Sequence, residues 1–91
     1  MPNVPLDPEV ADTAPNAPAI THYDFEHLVT YLRILDANAQ AADWREVSRI
    51  VLHIDPEAEP ERAEKAHNSH LARAKWMMKN YQLLLRGDAV D

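Results

Sequence analysis

This chain predicts an all-α domain of three to four small helices, on three observations. Apolar residues recur at three- and four-residue spacing in three separate stretches. Capping residues and prolines stand at the ends of those stretches. No segment shows the strict alternation of a half-buried strand.

The first twenty residues stand apart. Pro2, Pro5, Pro8, Pro15 and Pro18 fall there, mixed with Asp7, Glu9 and Asp12. Proline removes backbone donors and the acids repel one another, so residues 1–20 are expected to be a disordered, proline-rich acidic tail. The functional alternative is a docking arm that folds on binding. The folded domain is expected over 21–87.

Order should start near Thr21 or Asp24, either of which can cap a helix. A first helix is read at about 24–41, with Phe25, Leu28, Val29, Leu32, Leu35 and Ala39 as its core stripe. His27, Tyr31 and Ile34 make a second stripe beside it. That stripe is taken as the partner-binding face; the other reading is a wide buried arc under Tyr81 and Leu84.

Asp43 opens a second helix, with Glu46 placed to complete a capping box. Trp44, Val47, Ile50, Val51 and Ile54 form its apolar face, and Trp44 is expected to be structural. Asp55-Pro56 should stop it, because proline disfavours helix in the preceding residue. The connection 55–60 has room for one helical turn, and Pro60 suits the first turn of a third helix over about 60–79. Ala63, Ala66, His70, Leu71, Ala74, Met77 and Met78 lie on its expected buried side. Asn80 is read as a left-handed stop, followed by a short turn from Tyr81 to Arg86 that Gly87 ends.

Length and composition exclude several function classes. Ninety-one residues make one domain at most, with little room for a deep substrate cleft. There is no cysteine, hence no disulfide, thiolate nucleophile or Cys-based zinc site. Glu64 with His67 forms one Glu-x-x-His pair, and His70 lies three residues on. A di-metal site in a helical bundle needs such pairs from two helices plus further glutamates, so no metal or cofactor is expected. Ser48 and Ser69 sit in no glycine-flanked elbow, and one glycine cannot build a phosphate-cradling loop. The chain is therefore read as not an enzyme. No apolar run approaches a membrane span and no export signal is visible, which leaves the cytoplasm as the expected location.

A helix, a broken connection and a second helix over 43–79 suggest a helix-turn-helix. DNA-binding versions place the start of the second helix in the major groove. Here that end carries Asp55, Glu57, Glu59, Glu61 and Glu64 against Arg62 alone. These acids oppose DNA binding, although they also stabilise the helix N-terminus. Lys65, Arg73, Lys75, Lys79 and Arg86 follow without forming one stripe and are read as a solvated helix face.

The run from Asp43 to Leu52, then Ile54-Asp55-Pro56, Glu59 to Ala63, and Ala66 to Met77 with its Ser69-His70-Leu71-Ala72-Arg73-Ala74 segment, resembles the RovC-type DNA-binding domain family. The similarity spans about residues 22–87. It implies an extended-turn variant of the helix-turn-helix. In longer members this domain follows an N-terminal partner domain in a transcriptional activator. Small, solitary, acidic members look like antiactivators of conjugative-element transfer. The resemblance implies a partner: the N-terminal domain of an activator of the same family, with a TraR-type quorum-sensing regulator as a second candidate. The family's DNA-contacting role would map onto Glu57 to Ser69, where the acids stand against it. The expected function is therefore an antiactivator of horizontal gene transfer acting by protein binding; the alternative is a helix-turn-helix DNA-binding regulator.

Overall fold

The computed structural model describes residues 5–85, with side chains as far as Asn80. It is all-α, with no strand among the described residues, as the sequence predicts. The helices are α1 (His22–Glu26), α2 (Leu28–Ala39), α3 (Trp44–Val47) and α4 (Pro60–Leu85), and a π-helical turn, Ser48–Leu52, extends α3.

Thr21 starts α1 through a reciprocal box. Its hydroxyl accepts from the Asp24 backbone N–H at 3.2 Å, and the Asp24 carboxylate accepts from the Thr21 N–H at 2.8 Å. The single helix expected over 24–41 is broken at His27 (φ −111°, ψ 21°), which closes α1 and opens α2. After Ala39 the chain turns through a Schellman arrangement, with Ala42 N–H to Ala37 O and Ala41 N–H to Asn38 O, both 3.0 Å. Ala41 takes the left-handed position there (φ 57°), where glycine is the usual residue.

The first helical segment buries a different face from the one its spacing picks out. Phe25 and Leu32, expected in the core, are 48% and 60% exposed. Leu28, Val29 and Leu35 are half-buried and Ala39 is exposed. His27, Tyr31 and Ile34 are buried instead, together with Asp24 and Thr30. The two stripes have exchanged roles, because both have helical period and tertiary packing decides between them.

Asp43 caps α3 by accepting from Arg45 N–H at 3.1 Å, while Glu46 pairs with Arg49 at 2.9 Å instead of returning to the cap. The helix stops at Leu52, before the expected Asp55-Pro56. His53 there is left-handed (φ 59°, ψ 35°). Ser48 stitches the exit: its hydroxyl donates to Ile54 O at 2.8 Å, and Ile54 N–H donates to Ser48 O at 3.1 Å. Val47, Val51, Leu52 and Ile54 then pack with Ile34, Ala63, Ala66 and Val10 in an aliphatic core. Trp44 is half-buried against this core, and Ile50 faces solvent. The connection holds one α-turn, Glu59 N–H to Asp55 O at 2.9 Å.

α4 runs unbroken through Asn80, whose side-chain amide donates to Trp76 O at 2.8 Å, so the expected left-handed stop is absent. Ala63, Ala66, His70, Ala74 and Met77 are buried as predicted, Leu71 is half-buried and Met78 is exposed. Arg73, read as a surface base, is buried. The expected turn from Tyr81 is helix as far as Leu85. The side chains of Tyr81 and Leu84, and residues Arg86 and Gly87, lie outside the described residues.

Residues 5–20 form no helix, but the expectation of a detached tail needs correction. Val10 and Ala14 are buried, and the segment crosses α1 and α4 as a strap. Proline content forbids helix; it does not forbid an extended segment whose carbonyls accept hydrogen bonds from side chains of the core.

Candidate functional site

The residues predicted to form the partner face do not form a surface. Ile34 is 0% exposed within the aliphatic core, and Tyr31 and His27 are almost as deeply enclosed. Side chains placed like His27 and Ile34 cannot be contact residues while the domain is folded, and Tyr31 keeps only 2% exposure, on the groove between α2 and α4. Ile34 is taken in by the aliphatic core and His27 by the carbonyls of Tyr23 and Glu9, while Tyr31 joins a buried polar hub centred on Asp24 and Arg73. The guanidinium donates to both carboxylate oxygens, Nε to Oδ1 at 2.9 Å and Nη2 to Oδ2 at 2.6 Å. Tyr31 O–H donates to Asp24 Oδ1 at 2.7 Å. Burial alone would raise the Asp24 carboxyl, but hydrogen bonds from Arg73, Thr21 and Tyr31 outweigh it and hold the group below the usual carboxylate range. Burial, then the hydrogen bond to Asp24 and its charge, pushes the Tyr31 hydroxyl up, so it stays a donor.

Two further N–H groups of Arg73 reach the strap, Nη1 to Ala17 O at 2.7 Å and Nη2 to Ala19 O at 2.9 Å, while the guanidinium lies 4.0 Å over the Trp76 ring. Next to it, Tyr23 O–H meets His70 Nε2 at 2.5 Å, and His70 Nδ1 faces Ala66 O at 2.7 Å. Burial pulls the His70 imidazole below its ordinary value, which suits a neutral ring donating at Nδ1 and accepting at Nε2. Further strap contacts are Ala11 N–H to Tyr23 Oη and Ala14 N–H to Ser69 Oγ, both 3.0 Å, and Arg62 Nε to Asp12 Oδ1 at 2.7 Å. No buried side-chain polar atom among the described residues lacks a partner.

The other side of the α2–α4 pair is apolar and open. Leu28, Tyr31, Leu32 and Leu35 from α2 face Ala74, Met77 and Met78 from α4 across a groove of about 400 Å³. Leu32 and Met78, at 60% and 55% exposure, form its open margin. The sequence reading named every one of these residues, yet it assigned most of them to the core. Nothing in their spacing separates a stripe that packs inside from one that a partner would cover.

The acidic turn stands where the sequence places it. Asp55, Glu57, Glu59, Glu61 and Glu64 are all exposed. Glu59 pairs with Arg62 at 2.9 Å, and Asp55 Oδ1 accepts from Glu57 N–H at 2.9 Å, so part of this charge shapes the turn and the helix start. Lys65, Lys75 and Lys79 are exposed along α4. Among the described residues no group of three or more His, Asp or Glu side chains is placed to hold a metal ion, and no helix is long and apolar enough to cross a membrane. Neither a family model nor a curated protein matches the chain.

Proposed function

We propose that this chain is a protein-binding antiactivator of transcription, which docks an activator in the α2–α4 groove and carries out no chemistry of its own. The observation that carries this reading is the groove, whose lining is almost wholly apolar and whose margin, Leu32 and Met78, faces solvent. Apolar grooves between helices take the apolar face of an amphipathic helix, and methionine adapts such a surface to its ligand. The occupant is a helix from the activator's N-terminal domain. The resemblance of residues 43–77 to the RovC-type family, and of a small acidic chain to the QseM antiactivator of conjugative-element transfer, supports that partner.

Five exposed carboxylates at the turn and the start of α4 support the same reading from the other direction. Each adds repulsion where a DNA-binding relative would release counterions from phosphates. A complex of this chain with an activator would carry that repulsion to the promoter, and inhibition follows from mass action.

The test is a reporter driven by a family activator, with and without this chain. Leu32→Asp and Met78→Asp should each abolish inhibition while leaving the helical circular-dichroism signal unchanged. Glu57→Ala with Glu59→Ala should keep it. The reverse pattern would make the acidic turn the binding site, acting as a mimic of DNA. The alternative, a DNA-binding regulator using Lys65, Lys75 and Lys79, requires saturable, sequence-dependent binding of promoter fragments tighter than about 1 μM, beyond ordinary non-specific affinity.

A further inference from the structure

The strap is held near its start by two histidines. His27 is buried between α1 and α2, stacked flat on the Tyr23 ring with centroids 3.7 Å apart. Its Nδ1 lies 2.7 Å from Tyr23 O and its Nε2 lies 2.8 Å from Glu9 O on the strap. A carbonyl oxygen can only accept, and a neutral imidazole carries one N–H. Both contacts are hydrogen bonds only when the ring carries two protons; otherwise one of them sets a lone pair against a lone pair. His53, in its left-handed position, brings Nε2 to 2.8 and 2.9 Å from the two oxygens of Asp7, a carboxylate that also faces Arg33 at 3.6 Å. The two histidines thus grip residues two apart on one segment. Between and below them Val10 packs on Leu52 and Ile54 in the aliphatic core.

We propose that the start of the strap is a proton-operated latch: imidazolium rings at His27 and His53 hold residues 7–10 on the domain, and proton loss releases that segment from Leu52 and Ile54. Of the two His27 contacts, the one to Glu9 gives way. Tyr23 is four residues away within the same turn, whereas Glu9 is eighteen residues away on a segment with no helix of its own. Ordering the second costs more chain entropy than ordering the first.

The titratable and charged groups around His27 are Tyr23 and Glu26 on α1, Glu9 on the strap and His70 on α4; Asp24 and Arg73 neutralise each other in the hub. Around His53 are Asp7 and Glu9 on the strap and Arg62 on α4, which line one cavity with it, and Arg33 on α2 through Asp7. His70 works in the opposite sense. It needs a bare Nε2 to accept from Tyr23, so a proton there strains the hub while protons on His27 and His53 close the latch. A global melt would mix the two effects, and the readout must be local.

Two amides report on the strap, Ala11 N–H on Tyr23 and Ala14 N–H on Ser69, and Ala63 N–H inside α4 reports on the fold. Hydrogen exchange of the full chain is followed by NMR from pH 5 to 8, corrected for intrinsic rates. Protection at Ala11, next to the released segment, should fall relative to Ala63 as pH rises, approaching about tenfold per pH unit where release frees one proton, while Ala14, held beyond it, falls less. His53→Gln, at an exposed position, should make the slope shallower, and His27→Gln should remove most of the rest. A flat ratio in the wild type, or a slope unchanged in both variants, overturns the latch. Should His27→Gln fail to fold, the ring ¹⁵N shifts of wild-type His27 decide. Two protonated nitrogens at pH 5, with one lost as protection drops, support the latch; a single protonated nitrogen throughout overturns it.

Discussion

The two sides of the α2–α4 pair are built in opposite ways. Towards the strap, Asp24, His70 and Arg73 are buried. Towards the groove, Leu32 and Met78 are open to solvent. Burial here follows satisfaction of polar atoms more than hydropathy. The polar side is closed because the strap supplies carbonyl acceptors where an apolar cover could not. The apolar side, nearly free of polar atoms, stands open without such a cover. A side that needs a specific cover to fold and a side that merely welcomes one should respond differently to change.

The largest effect is expected at the hub. Asp24→Ala or Arg73→Ala strands the opposite charge inside the domain, at a cost of about 3–5 kcal/mol. That should unfold most of the chain by circular dichroism. Replacing both residues by leucine should recover much of the loss, since no lone charge then remains. The folded carboxyl of Asp24 lies below its ordinary range, so its stabilising share is complete above the unfolded value and disappears as pH falls through the folded one. A double variant should accordingly lose that part of the acid-side slope in its thermal midpoint. If single substitutions at Asp24 and Arg73 are mild, the polar side is not the structural one and the comparison fails.

Next in size is removal of residues 1–19. The sequence alone suggests an almost unchanged midpoint. The structure predicts otherwise, because Arg73 loses two acceptors, His27 loses one and the core loses Val10. Water can replace part of this, leaving a loss of roughly 2–3 kcal/mol for stranded donors, or about 10 °C in a domain of this length. A midpoint within a degree or two would mean the strap is a passenger.

Smallest should be Leu32→Ser and Met78→Ser, exposed substitutions expected to stay within about 0.5 kcal/mol in chemical denaturation. A loss above roughly 1 kcal/mol at either position would mean that the groove is packed in solution, which would sharpen the contrast into a different one. Together with the reporter assay, these variants separate a surface used for binding from one used for folding.

Local chemistry made the helices legible in the sequence. Thr21 and Asp43 cap where caps are needed, Pro60 opens α4, and the alanines of α4 mark its inner face. Phase and cover were not legible. Asp24 and Arg73 are forty-nine residues apart, and no pattern around either announces the other. Tyr31 and Leu32 sit side by side with similar claims to the core, and only the distant Arg73–Asp24 pair turns the first inward. The strap was misjudged because composition reports which regular structures a segment cannot form. It does not report whether a face elsewhere holds side-chain donors for its backbone. The exposure of the acidic turn was legible because charge at a helix start depends only on neighbours.

The Arg73 contacts also set an order of events on the ribosome. The strap carbonyls at Ala17 and Ala19 are made fifty-six and fifty-four residues before the guanidinium that binds them. At roughly 5–20 residues per second, the strap waits several seconds for its dock. It must then wait for α1 as well as α4, since Asp24 orients the guanidinium that grips it. Prolines suit such an interval, because a segment that cannot coil into helix has fewer wrong structures to unmake. A segment synthesised before every helix it touches is thus among the last to settle.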